Sequence, residues 1–275
     1  MKRKISITSN TLSFPYSETT IEVSDNSDTK ASVSWYTGDK LLFHTGNPEQ
    51  LKNLTWKTER TTEISDGTFS IKTPEHLAPV FLLWKNLFFK VFVSESIPEL
   101  PILDGSALPW FLALRKIAKE PTEIPFYKIS DSFSFEHPYG FCSVTPSDTF
   151  EVEYSLKQKN FEDEIYYSVY APEDLWNLFL ARTFIFKEDF EILNQKGKLH
   201  GVTKDSGLLL KPENGKYIPE NTFFRNKKEP LFHKILDLVG DLSLFTGALP
   251  LCKIRIHNGG HETHRQIFKR LVNYV

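Results

Sequence analysis

Cysteine is scarce in this chain of 275 residues: only Cys142 and Cys252 occur, and neither stands at a metal-ligand spacing. A disulfide framework and a cysteine-rich zinc module are therefore excluded, and a reducing, cytoplasmic setting is the expectation. Charge of one sign is also missing. Thirty-three Lys and Arg stand against thirty-five Asp and Glu, a formal net charge of -2, which leaves no electrostatic footprint for nucleic acid. No apolar run is long enough to cross a bilayer, which takes about 20 residues. The greasiest stretch, LAPVFLLWKNLFFKVFV from Leu77 to Val93, is broken by Lys85, Asn86 and Lys90 and reads as a buried helix followed by a strand. A signal peptide is not expected either, because Ser6, Thr8, Ser9, Asn10 and Thr11 interrupt what would be its apolar region. Short repeats and low-complexity tracts are absent.

What is present is a globular composition, 40% hydrophobic and 25% charged, with enough chain for two cores. Up to about Asp66, short alternating runs (KISIT, TTIEV, ASVSWY, KLLFHT) are separated by Asn, Asp, Gly and Pro and predict a meander of strands. A helix is expected next, with Thr73 as N-cap, Pro74 at its first position, and Glu75 and His76 in its first turn. A strand near Phe88 to Val93, a turn at Asp104 to Ser106 and a helix over Leu108 to Ile117 complete the first half. PTEIPFY, Pro121 to Tyr127, carries two prolines and marks the boundary. The second half repeats the order. Strands are expected over Phe133 to Val144 and Thr149 to Leu156, a helix over Pro172 to Phe179, the strongest helix over Glu229 to Phe245, a strand over Leu251 to Ile256 and a closing helix over Glu262 to Val275. This predicts an α+β protein of two similar domains, 1–120 and 121–275, each a β-sheet layered against a pair of helices, as a duplicated unit would be.

LFHKILDLVGD, Leu231 to Asp241, puts His233, Asp237 and Asp241 four residues apart, a polar stripe on a greasy helix. An isolated His-x-x-x-Asp more often caps or packs, but it also supplies two of the three N/O ligands that a hydrolytic zinc site needs. Glu75-His76 offers a third ligand preceded by a carboxylate able to take a proton. In HNGGHETH, Gly259 and Gly260 would let the backbone turn and present His261 at a strand end, though a plain loop histidine fits there too.

Together these elements become recognisable. TPEHL (Thr73 to Leu77), LDGSALPW (Leu103 to Trp110), ARTFIF (Ala181 to Phe186), HKILDLVGDL (His233 to Leu242) and GGH (Gly259 to His261) occur in the order and spacing of the UDP-3-O-acyl-N-acetylglucosamine deacetylases. From about Ser70 onward the chain resembles that family, zinc enzymes that remove an N-acetyl group in the committed step of lipid A synthesis. The resemblance implies an active site between two domains, with His76, His233 and Asp237 as ligands of one zinc ion, although such mixed sites also accept iron or cobalt. It implies that Glu75 is the general base, that His261 is the cation stabilising the oxyanion and assisting the departing amine, and that Asp241 holds this cation. Thr183 would donate to the oxyanion, and Phe184 and Lys234 would lie near the sugar. A βαβ insert near 184–210 would pass the acyl chain, with Phe190, Leu199 and Leu209 as lining residues or ordinary packing. The implied partner is a UDP-linked acylated amino sugar met by a monomer. The closing helix, with Arg265, Lys269 and Arg270 opposite Ile267, Leu271 and Val275, would suit a transient contact with an anionic membrane surface.

The chain departs from the family where basic side chains would meet a diphosphate. SNTLSFPY, with Ser13 at the histidine position, replaces a glycine-rich turn; Asn258 replaces a basic residue, Phe232 an arginine and Ile185 a glycine. His257 and Arg255 are the candidates to substitute. Two other readings stay open: a zinc amidase for a different N-acylated amino sugar, and a non-catalytic paralogue used as a binding module.

Overall fold

The short alternating runs at the N-terminus form strands, but their order in space is not that of a meander. The computed structural model describes residues 3–25, 33–118 and 121–274. β1 (Arg3–Ser9) and β2 (Ser17–Asp25) form a hairpin, as do β3 (Val33–Thr37) and β4 (Lys40–Thr45). A small antiparallel sheet follows, of β5 (Thr55–Lys57), β6 (Glu63–Ser65) and β7 (Ser70–Lys72), then α1 (Ala78–Phe81), β8 (Leu87–Val93) and α2 (Leu108–Leu114). β8 inserts between the hairpins, antiparallel to β2 and parallel to β3, giving the order β1-β2-β8-β3-β4. Its burial alternates along LFFKVFV, as expected of a central strand with one covered face.

The second half follows the same path. Its elements are β9 (Phe126–Lys128), β10 (Phe133–His137), β11 (Gly140–Pro146), β12 (Phe150–Gln158), β13 (Phe161–Val169), α3 (Trp176–Leu180), β14 (Phe184–Phe186), α4 (Lys187–Gln195), β15 (Leu208–Glu213), β16 (Lys216–Pro219), α5 (Glu229–Thr246), β17 (Leu249–His257) and α6 (His261–Leu271). β17 enters between two hairpins in the order β10-β11-β17-β12-β13, antiparallel to β11 and parallel to β12, with β9 added beside it. Both sheets thus have the same inserted-strand path. β14 and β15 pair in parallel across α4, the βαβ insert, and β16 extends it.

Helices and sheets form the expected layers, but α5 serves both sheets: it contacts β4 of the first and β12, β13 and β17 of the second. One continuous apolar cluster runs through both halves, from Ile21, Trp35 and Phe89 to Val152, Leu238 and Ile254. Several local expectations change. Thr73 is not an N-cap: it takes a left-handed φ of 59°, Glu75 and His76 lie in a turn, and the helix starts at Ala78. Within PTEIPFY, Ile124 is buried and β9 begins at Phe126. Pro172–Leu175 is a 3-10 turn leading into α3, and β13 is an additional strand. α6 starts at His261 itself, and its apolar face is covered from both halves: Ile267 and Leu271 are fully buried, and Phe268 packs against Phe245 of α5 and Trp56 of the first half. Residues 119, 120 and 275, where the first-half boundary and the end of the closing helix were expected, lie outside the described residues. No described helix is long and apolar enough to cross a membrane.

Candidate metal centre and acid/base site

Backbone proximity sets the site. A Cβ built on Gly240 in the middle of α5 would lie 2.0 Å from the Glu75 carbonyl oxygen, so only glycine lets the turn before α1 press onto this helix. That contact brings Glu75-His76 of the first half to the polar stripe of the second. All of the stripe is buried: His233 and Asp237 are 2% exposed and Asp241 0%, against 5% for His76 and 2% for Glu75.

His76, His233 and Asp237 each offer one atom within 4.8 Å of the others. Asp237 Oδ1 lies 3.2 Å from His233 Nε2 and 3.5 Å from His76 Nε2, close to the separation of ligand atoms sharing a tetrahedral ion at about 2 Å. Neither contact is a hydrogen bond, and Asp237 Oδ1 is a buried oxygen with no donor. The tautomer explains why. His233 Nδ1 faces the Ala181 carbonyl at 3.1 Å, so it carries the proton and Nε2 presents a lone pair. Burial drives the His233 pKa down to about 3, which keeps the ring neutral. Burial opposes ionisation of Asp237, but attraction to any charge His233 takes up in acid and to the Lys234 ammonium holds its carboxyl well below the usual range. The His233 lone pair and His76 Nε2 facing an unpartnered carboxylate oxygen in a dry setting form an arrangement that can hold a cation, and the donor set fits a divalent metal.

The acid/base groups lie beside this cluster. Thr61 donates to Glu75 Oε1 at 2.6 Å, while Glu75 Oε2 is buried without a partner and burial raises the carboxyl pKa. His261 Nε2 stands 4.0 Å from Glu75 Oε1, and its Nδ1 is 2.7 Å from Asp241 Oδ2. Burial would discharge this imidazole, but Asp241 outweighs it and lifts the pKa to about 9, while His261 in turn keeps Asp241 low. The loop ahead of His261 differs from expectation. Asn258, not a glycine, takes the left-handed turn with φ 56°; Gly259 is required because a Cβ would meet Ile256 at 2.4 Å; Gly260 is extended, with free space around it. Tyr154 donates to the Gly259 carbonyl at 2.7 Å and pins this turn.

Other expected residues are placed less centrally. Lys234 bonds Asp237 Oδ2 at 3.2 Å and lies 5.6 Å above the Phe184 ring, which in turn is 6.4 Å from the His233 ring. Thr183 is two residues beyond the Ala181 carbonyl that orients His233, its methyl set against Gly105 and Gly207. Among the described residues no hydrogen bond joins its hydroxyl to the ligand set. Phe190, Leu199 and Leu209 are half-buried and lie outside the insert's own core of Phe186, Leu208, Leu210 and Tyr217. At the departures, Phe232 stacks edge-on against Tyr167, Ser13 is exposed, and Asn258 bonds Lys157 N and Tyr139 O. Arg255 pairs with Glu153, and His257 with Ser155 and Asn258. Both alternate with the buried Ile254 and Ile256, so they face away from α5.

Thr61, Thr62 and His264 had no place in the expected site. His264 could have been found, three residues after His261 and on the same side of a helix; the threonines carry no sequence signal.

Two imidazoles and a carboxylate set for a metal, beside a buried carboxylate base and a charged imidazole, are the equipment of a metal-dependent hydrolase. Residues 27–273 match the model of the UDP-3-O-acyl N-acetylglycosamine deacetylase family, and the chain belongs to that family. Relatives called UDP-3-O-acyl-N-acetylglucosamine deacetylase include those of Aquifex aeolicus, 31% identical over 78% of this chain and 74% of its own length, and of Synechocystis, 28% identical over 80% and 81%. That of Chlamydia pneumoniae is 27% identical over 82% of each chain.

Proposed function

We propose that this protein hydrolyses the N-acetyl group of UDP-3-O-acyl-N-acetylglucosamine, releasing acetate and the free amine in lipid A biosynthesis, with His76, His233 and Asp237 holding one zinc ion. The observation that carries the reading is the buried, unpartnered Oδ1 of Asp237 facing two imidazole nitrogens. A bound zinc ion would supply Lewis acidity at the acetamide carbonyl and bring water to neutral-pH acidity, near a pKa of roughly 7. Glu75, with its free Oε2 and raised pKa, takes the proton of the attacking water as the new C–O bond forms. His261, cationic at neutral pH, stabilises the oxyanion with Thr183 and gives a proton to the nitrogen as the C–N bond breaks. Lys234 and Phe184 flank the sugar, and Phe190, Leu199 and Leu209, excluded from the insert's core, line the acyl passage. One chain holds the whole set, so a monomer suffices. The two unpaired, buried cysteines suit the cytoplasm.

Acetate release from the UDP-sugar is the test, against simple N-acetyl sugars as controls; turnover of the controls alone would transfer the chemistry to another amino sugar. Glu75→Ala and His261→Ala should each lower kcat by about 10² to 10⁴ with metal content unchanged. Near-native rates in His261→Ala would remove it from the acid role.

A further inference from the structure

Two consecutive threonines reach the site from the connection between β5 and β6, and the roles above use neither hydroxyl. Thr62 is fully buried; its Oγ1 donates to Asp241 Oδ1 at 2.5 Å and lies 3.4 Å from His261 Nδ1. The other oxygen of this carboxylate, Oδ2, meets Nδ1 of His261 at 2.7 Å and Nδ1 of His264 at 2.8 Å. An ionised carboxylate only accepts, so the two ring nitrogens and the Thr62 hydroxyl are all donors to it. Were Oδ1 free, the carboxylate could turn about its last bond and offer either oxygen to either ring; Thr62 removes that freedom. The same dipeptide is tied to the base. Thr61 donates to Glu75 Oε1, and the Thr62 carbonyl accepts from the Thr73 amide at 2.9 Å, two residues before Glu75.

We propose that Thr62 is a positioning residue for the acid of this reaction: its hydroxyl locks Oδ1 of Asp241 so that Oδ2 stays aimed at His261. The proposal rests on the reading of His261 as the acid. The titratable groups that face His261 are Glu75 ahead of α1, Asp241 and the more distant Asp237 on α5, and His264 on α6. A loosened Asp241 attracts the imidazolium less on average, so His261 gives up its proton at lower pH.

The test uses the full chain with its metal. Thr62→Val keeps the shape and deletes the donor; Thr62→Ser keeps the donor. Deacetylation is followed across pH for kcat and KM, and His261 is titrated separately by NMR on carbon-13-labelled histidine. Thr62→Val should lower kcat by on the order of 10-fold to 10²-fold and leave KM within about twofold. It should also move the His261 titration and the alkaline limb of kcat down together by at least about half a pH unit. Thr62→Ser should restore both. A native kcat and titration in Thr62→Val would overturn the proposal, as would a Thr62→Ser enzyme impaired to the same degree. If Thr62→Val does not fold, Thr62→Ala is read against the same two outcomes. A wild-type protein inactive on the UDP-sugar would count against the functional reading alone, because the NMR shift decides the role of Thr62 without turnover.

Discussion

Asp237 and Asp241 are one helical turn apart and share a low pKa, yet their neighbours give them different work. Asp237 leaves an oxygen unpaired beside the ring nitrogens of His76 and His233, whereas Asp241 spends both oxygens on donors and turns His261 into a cation. This has a pH signature. In its proposed role Glu75 works deprotonated, and burial raises its pKa, so activity should fall on the acid side as pH drops through that value. In its proposed role His261 works protonated, and Asp241 lifts its pKa to about 9, so kcat/KM should fall as pH rises through it. His261→Gln should abolish the alkaline limb at a much reduced rate; an unchanged limb in that variant would assign it to another group. The same shift contributes stability that is fully present below pH 6.5, the ordinary histidine value, and is lost as pH rises through about 9. Most of this set is legible in the sequence because its members lie at helical spacing or next to one another. Thr62 is not legible: its contact joins residues 179 apart in the chain, through a sheet of three-residue strands.

At the scale of elements, α5 carries two of the three proposed ligands, His233 and Asp237, and decides their distance from Glu75-His76. Gly240 sits where the helix meets the Glu75 carbonyl, and a methyl there cannot be absorbed by a flexible side chain, since the opposing atom is backbone. Gly240→Ala should destabilise the protein by about 1–3 kcal/mol through overpacking and reduce kcat by widening the gap between base and ligands. Thermal denaturation alongside initial rates checks this, and a native melting temperature with native kcat would show that the turn simply yields. The sequence marks the Gly-Asp step but cannot show what the glycine admits, because Glu75 is far away in the chain. The first helix misleads for a related reason. Thr73 and Pro74 look like a helix start, but the turn there bends Glu75 and His76 towards α5, and regular helix begins only at Ala78.

At the scale of the molecule, alternation reveals strands but not their neighbours, which is why β8 and β17 are legible as strands after a helix while their insertion between two hairpins is not. Their parallel pairing with β3 and β12 is a long-range choice made by burial on both flanks. The element order suggests a duplication, and the two sheets share one inserted-strand path. What composition alone does not convey is that one apolar cluster joins the halves. Unfolding should therefore be a single transition with calorimetric and van't Hoff enthalpies in agreement; two resolved heat peaks would mean that the halves melt separately. Added zinc should raise the transition temperature in proportion to the logarithm of its free concentration above Kd.

Of the eighteen residues of α5, all but Lys234 are buried. A rod without a wet side has nowhere to record neutral drift. A saturation library of this protein should accordingly show an unbroken intolerant band from Glu229 to Thr246. Lys234 would be spared by packing and held instead by its bond to Asp237, its place over Phe184 and its proposed place beside the sugar.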